Sequence, residues 1–585
     1  MRRPLSHALP LLLAAALLAG APACAAAQSK SKPAATETGA SKSPTAKSKP
    51  AVVTRGLSTV LQDDGLFLFR PEAEVRAAAE RAKALGIDTI RLTAGWSSLT
   101  RGVDSPAKPE GFDARDPAAY EQGRWKALDG AVRAVRGAGL QALVDIGFWA
   151  PRWATTDPGP RARANVDPQA FADFATAVAL RYSGAFTPPL EPIGPPPPPT
   201  EDQSIVQSIL GPLTPFPLPD VLPAARQLRA EPRQAADGGA QAPIEPLPSV
   251  TQFVLWNEPN HQGLLTPQWE PDAVTPASPR VYRAMLRAGY AAVKTARRSK
   301  KVKVLIGNTS STGGKRGIGA VAPLEFLRRL ACVDAALKPL TTPDCANFTM
   351  LPGDGWAHHP YSQNERPSRA SRPKTEAGDV RMADLPQLVS TLDLLVKKKR
   401  IARANRFIYL TEFGYETQPV MGRPTIGEAT QARWLTWAEY LADKLPAVKS
   451  FAQFLLRDQP PAKERVSTSA ARPFGQFSTG LLVADGKDKV AARTFLAGLF
   501  AQKRSKGRVL LYGRLRLGAA KRTITVQRRR PKGDWERIDT LRIDGRSSFQ
   551  RTIAHVPGSY YRLGYPRADA KRRSSIAIRP VPAAR

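Results

Sequence analysis

Two glutamates carry the strongest chemical signal in the chain. Glu258 closes Phe253-Val254-Leu255-Trp256-Asn257-Glu258-Pro259-Asn260, an apolar run of strand character that breaks into a polar cluster. Glu412 closes Arg406-Phe407-Ile408-Tyr409-Leu410-Thr411-Glu412-Phe413-Gly414-Tyr415 in the same manner. A carboxyl group at the mouth of an apolar strand donates a proton when neutral and acts as base or nucleophile when ionised. Two such groups in unlike surroundings can divide those tasks at neutral pH. Glu416 competes with Glu412 for the second task but falls past the strand end. The alternative for Glu258 is a strand-end salt bridge beside a buried Trp.

Further groups stand where they could serve such a pair. Trp356-Ala357-His358-His359-Pro360-Tyr361 places an adjacent histidine doublet at a third strand end, in a chain with only five His. The doublet suits a metal, but no further His, Cys or Asp cluster has ligand spacing, so no metal and no organic cofactor are expected. Arg91 sits inside Thr89-Ile90-Arg91-Leu92-Thr93, where a charge is costly unless paired. It either neutralises a carboxylate or joins sheet to helices as structural glue. Aromatic residues gather at Trp96 and at Phe148-Trp149-Ala150-Pro151-Arg152-Trp153. Of these, Trp149 is expected at the site, and each is otherwise a core residue.

The elements that must hold these groups alternate in type from about residue 51 to 500. Short aliphatic runs near 53–58, 87–93, 140–147, 251–256, 302–308, 354–359, 406–411 and 450–456 read as strands. Helical patterns fall near 72–85, 118–138, 168–182, 279–298, 323–332, 384–399, 427–443 and 488–502. Eight strands, each followed by a helix, predict an α/β fold: a (β/α)8 TIM barrel over 51–502, with its chemistry at the carboxyl ends of the strands. An open doubly wound sheet is the alternative. Residues 187–250 hold 17 of the 55 prolines and read as a Pro-rich, mostly irregular insertion between the third helix and fourth strand. Such connections lie away from the site, so the insertion is expected to be an adornment or docking segment.

Beyond Lys503 the pattern turns to alternation, as in Arg522-Thr523-Ile524-Thr525-Val526-Gln527, and predicts a small Ig-like β-sandwich over 506–566. A basic tail over 567–585 shows no fold signal. At the other end, Met1-Arg2-Arg3 and the apolar run that follows read as a signal peptide over 1–27, with a disordered linker over 28–50. The protein is therefore expected to be secreted, with no membrane segment after cleavage. Cys24 allows a lipidation reading, and Cys332 with Cys345 is expected to pair in an oxidising compartment. The 86 Lys and Arg against 50 Asp and Glu give a net charge of +36. That favours adsorption to anionic cell-wall polymers, membrane surfaces or acidic polysaccharides, the alternative being a compositional bias towards Arg with solvated surface charge, whereas scattered arginines without a recognisable module argue against nucleic acid.

The string Trp256-Asn257-Glu258-Pro259 closely resembles the acid/base motif of glycoside hydrolase clan A, which includes families five and thirty-nine. Thr411-Glu412-Phe413-Gly414 resembles the nucleophile motif of the same clan, and His359 with Tyr361 its His-X-Tyr element. The resemblance implies a retaining hydrolase of O-glycosidic bonds acting on a carbohydrate. Glu258 is then the acid/base, a carboxylic acid with raised pKa, and Glu412 the nucleophile. Asn257 offers an amide to the sugar 2-hydroxyl, His359 contacts sugar or acid/base, Tyr361 donates to the nucleophile and Arg91 neutralises it. Clan members often carry an aromatic platform at the end of the eighth strand, whereas Phe451-Ala452-Gln453-Phe454-Leu455-Leu456-Arg457-Asp458 offers Arg457, Asp458 and Gln459 there. The rival reading is a catalytically inactive carbohydrate-binding or wall-associated scaffold. Transfer to a second sugar is not separable from hydrolysis at this level.

Overall fold

A computed structural model describes residues 51–159, 162–189, 245–418, 424–460, 477–566 and 572–582. Eight parallel strands close a barrel: β2 (Ser58–Gln62), β3 (Thr89–Gly95), β4 (Gln141–Gly147), β5 (Gln252–Leu255), β6 (Lys303–Thr309), β7 (Trp356–His358), β8 (Ile408–Leu410) and β9 (Val448–Phe454). β9 pairs in parallel with β2, which shuts the ring and sets aside the open sheet. The fold is thus the (β/α)8 barrel that the alternation predicts.

The strand residues sort by alternation, because successive side chains leave a strand on opposite faces. Ile90, Leu92, Val144, Ile146, Phe253 and Leu255 join the large core under the helices. Leu143, Val254, Leu305 and Ala357 form a separate cluster with Tyr409 and so fill the barrel's interior. Arg91 alternates with Ile90 and Leu92, and Asp145 with Val144 and Ile146. Both therefore point inward, above that apolar plug.

The helices Glu72–Ala84, Gln122–Gly137, Pro168–Arg181, Ser278–Arg297, Pro323–Leu330, Leu385–Lys397 and Glu428–Asp443 follow the strands closely as expected. Asp167 shows the local logic: its carboxylate caps the Ala170 amide at 2.7 Å, and Pro168 supplies a first-turn residue with no amide to satisfy.

Three boundaries differ from expectation. The run near 53–58 is split: β1 (Val52–Arg55) leaves the barrel and pairs antiparallel with β14 (Ser547–Ala554), and the barrel strand starts only at Ser58. All four β1 residues are exposed, the burial of an edge strand and not of a barrel stave. The final helix stops at Leu496, and β10 (Ala497–Arg504) begins inside the stretch expected to be helical. The period there switches from helix to strand at Ala497-Gly498, and Gly498 already lies within β10. Lastly, the tail is not featureless: β16 (Arg572–Ser574) pairs with β15 (Tyr560–Pro566), and Val581 bridges to Gln502.

Two four-stranded sheets make the C-terminal sandwich. One runs β1-β14-β11-β10, with β11 at Arg508–Leu515, and the other β13-β12-β15-β16, with β12 at Lys521–Arg529 and β13 at Trp535–Asp544. Leu499, Leu511, Ile524, Val526, Phe549 and Leu563 fill the space between them. Trp437 and Tyr440 of the helix Glu428–Asp443 pack on Phe500 and Tyr512, which seats the sandwich against the barrel.

The two described ends of the Pro-rich insertion are tied by Leu247 N–H to Phe186 O and Val250 N–H to Tyr182 O, both 2.9 Å. Residues 190–244 lie outside the described residues, as do the stretches expected to be signal peptide (1–27) and linker (28–50), with Cys24. Cys332 and Cys345 are joined as a disulfide, with 5.6 Å between their Cα atoms. No helix among the described residues is long and apolar enough to cross a membrane.

Candidate active site

The carboxyl ends of β5, β6, β7 and β8 converge on Glu258, Asn308, His359 and Glu412. The turn out of β5 is fixed by Trp256 N–H on Ile146 O at 2.9 Å and Glu258 N–H on Asn308 O at 3.0 Å. Trp256, Glu258 and Asn308 all take left-handed backbone, with φ of 64°, 39° and 48°. Such conformations cost about 1–3 kcal/mol each in a non-glycine residue and persist where the surroundings over-determine them. Gly307, at φ 89°, has the Trp356 indole 2.5 Å from where a Cβ would stand, so only glycine lets the chain turn Asn308 into the site.

Glu412 accepts from two donors. Arg91 Nη1 donates to its Oε1 at 2.5 Å and the Tyr361 hydroxyl to its Oε2 at 3.0 Å. Arg91 is fully buried and also donates to Gln62, to Asp145 and, at 2.7 Å, to Asn257 Oδ1. Burial works against its charge, but Asp145 and Glu412 outweigh burial and the guanidinium stays charged. Asp145 is pushed up to about 6 by burial, with Arg91 opposing the rise. Arg91 therefore faces the barrel axis and divides its charge between Asp145 and Glu412, which answers against the sheet-to-helix glue reading.

Glu258 has a different partner. Its Oε1 lies 2.8 Å from His359 Nδ1, and His359 Nε2 lies 2.9 Å from Asn308 Oδ1. Burial raises the Glu258 pKa, but the hydrogen bond and charge of His359 outweigh it, and the carboxyl sits below its usual range. This differs from the expected rise: the carboxyl meets an imidazole and does not stand alone in an apolar pocket. Oxygens of Glu258 and Glu412 lie within 4.8 Å of each other. Both side chains remain open to solvent at the mouth, 19% and 11% exposed.

Asn257 is oriented by its own carbonyl, which accepts from Arg91 and, at 3.2 Å, from Asn308 Nδ2, so that its amide nitrogen is turned the other way. Glu258, His359 and Glu412 also form a metal-capable trio by distance. Their donor atoms are already used: both imidazole nitrogens and both Glu412 oxygens are in hydrogen bonds. His358 is buried and its pKa is pushed down to about 4 by that burial. It bonds Thr309 and the Val380 carbonyl, so it holds the strand end and does not enter the site.

Several expected residues have other duties. Trp149 is 1% exposed and its indole N–H donates to Gly263 O at 2.9 Å. It anchors the loop after β5 and presents no ring face to a ligand. Trp96 stacks on Phe174 within the core. Glu416 accepts from the Ser478 amide and hydroxyl, Asp458 pairs with Lys489 at 2.7 Å, and Arg457 pairs with Glu74. The aromatic residue at the end of the eighth barrel strand is instead Phe454, partly exposed and edge-on to Tyr361 at 6.4 Å. The apolar run continues two residues past the end of β9, which hides Phe454 within it. Asn308, Gln62 and Asp145 were likewise missed. Each ends a strand or alternates with core residues, the signal that singled out Arg91.

No family model matches the chain, and no curated protein matches it. Among solved structures, a GH39 β-xylosidase from Caulobacter crescentus is similar at 12% identity and TM-score 0.41, over 87% of this chain and 98% of that one. A GH5_18 protein from Streptomyces cattleya, solved with GlcNAc, is similar at 16% identity and TM-score 0.39, over 75% and 79%. A GH5_18 protein from Bifidobacterium longum subsp. infantis is similar at 14% and 0.39, over 76% and 78%. At these values the likeness adds nothing to the chemistry, which rests on the geometry alone.

Proposed function

We propose that the chain is a retaining O-glycoside hydrolase that works by double displacement. One observation carries the reading: oxygens of the two carboxyl groups lie within 4.8 Å of each other, Glu412 held by Arg91 and Tyr361 and Glu258 by the His359 imidazole. Retaining enzymes place the pair about 5–5.5 Å apart, whereas inverting ones need about 6.5–9.5 Å to seat a water between. In the first step Glu412 attacks the anomeric carbon and Glu258 protonates the departing oxygen. In the second, Glu258 takes a proton from water, whose oxygen displaces Glu412. The Asn257 amide nitrogen is placed to donate to the sugar 2-hydroxyl, and Tyr361 and Phe454 offer ring surface beside it. The leader pattern, the basic charge and the disulfide support an exported protein that adsorbs to anionic wall polymers.

The test is hydrolysis of aryl α- and β-glycosides and of plant and bacterial wall polysaccharides by wild type, Glu258→Gln and Glu412→Gln. Activity on some member that falls by about 10³-fold or more in both variants is expected. Carbohydrate binding without hydrolysis, equal in all three proteins, would overturn the reading in favour of an inactive scaffold.

A further inference from the structure

Asn308 lies outside the residues that the motifs single out, yet its side chain makes four hydrogen bonds within the catalytic cluster and is fully buried. Its Nδ2 is 2.8 Å from the Trp256 carbonyl, which can only accept. That contact settles which end of the amide is nitrogen. Oδ1 is then the acceptor for both the Thr411 hydroxyl and His359 Nε2, each at 2.9 Å. His359 Nε2 must therefore carry hydrogen. Glu412 Oε1, at 3.6 Å from Nε2, is too distant to take over as acceptor.

The consequence lies on the other side of the ring. With hydrogen fixed on Nε2, a neutral imidazole has only a lone pair at Nδ1, and Glu258 Oε1 stands 2.8 Å from it. An ionised Glu258 would set lone pair against lone pair. The contact holds together only with one proton in it, either as carboxylic acid and imidazole or as carboxylate and imidazolium. We propose that Asn308 is a proton-positioning residue for the acid/base: by accepting from His359 Nε2 it keeps one proton stored between His359 Nδ1 and Glu258 Oε1.

The proposal rests on the glycosidase reading for its use. That stored proton goes to the glycosidic oxygen as the bond from C1 to that oxygen breaks and the bond from Glu412 to C1 forms. His359 is left neutral and Glu258 ionised. When Glu258 removes a proton from the attacking water, the hydroxyl oxygen bonds C1, the bond to Glu412 breaks, and the proton returns to the contact. The charged and titratable groups facing the pair are Arg91 and His261 toward Glu258, Glu412 and Tyr361 across the site, and His358 beside the ring. None of them meets Nε2 as Asn308 does.

Asn308→Gly removes the amide while keeping a residue at ease in left-handed backbone, so the turn survives. Asn308→Asp restores an acceptor toward Nε2. With 15N-labelled histidine, the His359 signal is assigned by its loss in His359→Gln, and long-range proton–nitrogen spectra across pH read which nitrogen carries hydrogen. Wild type and Asn308→Asp should keep hydrogen on Nε2 throughout. In Asn308→Gly the neutral ring should carry it on Nδ1 instead. In kinetics, Asn308→Gly should lower kcat/KM about tenfold or more on alkyl glycosides, which need the acid. It should spare nitrophenyl glycosides, which do not, and Asn308→Asp should recover most of the loss. An unchanged His359 nitrogen pattern in Asn308→Gly would overturn the proposal, as would an equal loss on both leaving groups. If no glycoside is hydrolysed but the nitrogen pattern behaves as stated, the storage of the proton stands and the glycosidase reading falls.

Discussion

The barrel holds a buried arginine–carboxylate cluster near each end, and the two are built to opposite ends of chemistry. At the carboxyl ends of the strands, Arg91 serves Gln62, Asp145, Asn257 and Glu412, while its own Nε and Asp145 Oδ1 find no partner among the described residues. At the amino ends, Glu439 Oε1 accepts from Arg514 Nε at 2.9 Å and Arg516 Nη2 at 2.6 Å. The remaining guanidinium donors reach Leu57, Leu515, Arg546, Phe495 and Thr59. Burial raises Glu439, but the two arginines outweigh it and hold the carboxyl below its usual range. The same residue types thus give a cluster that reaches the mouth through Glu412 and keeps two buried polar atoms unpartnered, and a rivet between barrel and sandwich where every guanidinium nitrogen is bonded. A buried ion pair alone tells neither.

Substitutions should separate the two ends. Arg91→Gln should lower kcat/KM by about 10³-fold, the loss expected when a donor to a charged reacting group is removed. The folded protein should persist, because Asp145 can take up a proton. Glu439→Gln should do the reverse. Leaving two buried guanidinium groups short of charge should cost about 3–5 kcal/mol in chemical denaturation, with kcat/KM of the folded protein within about twofold of wild type. Matched losses of activity in both variants would break the comparison.

A third expectation concerns pH. His358 titrates near 4 in the fold against 6.5 when unfolded, so the native state binds fewer protons between those values. Its contribution is complete above pH 6.5 and is lost as the pH falls toward 4. The unfolding free energy of wild type relative to His358→Asn should therefore drop by on the order of 3 kcal/mol from pH 7 to pH 4. A difference that stays flat with pH would show that His358 is charged in the fold. The smallest effect should come from Trp149→Phe, which loses one hydrogen bond to Gly263 and costs about 1 kcal/mol of stability with KM unchanged. A large rise in KM would return Trp149 to the substrate.

Much of this was legible from the residues. The barrel followed from the alternation of strand and helix patterns, and Glu258, Glu412, Arg91, Asn257, His359 and Tyr361 come together because each ends a strand or points inward from one. What was not legible is what depends on contact. Val52 to Arg55 has strand character in either role, and only pairing with β14 shows which sheet owns it. Trp149 carries the same indole whether it faces a sugar or a carbonyl. The low Glu258 pKa depends on which ring nitrogen of His359 meets it, and that is decided by Asn308, which no motif marks.

The most direct test of the central claim is the stereochemistry of the first product. On the best substrate of the panel, proton NMR of the released sugar before mutarotation should show the anomeric configuration of the substrate retained. First-formed product of the inverted configuration would contradict an attack by Glu412 and with it the assignment of the pair.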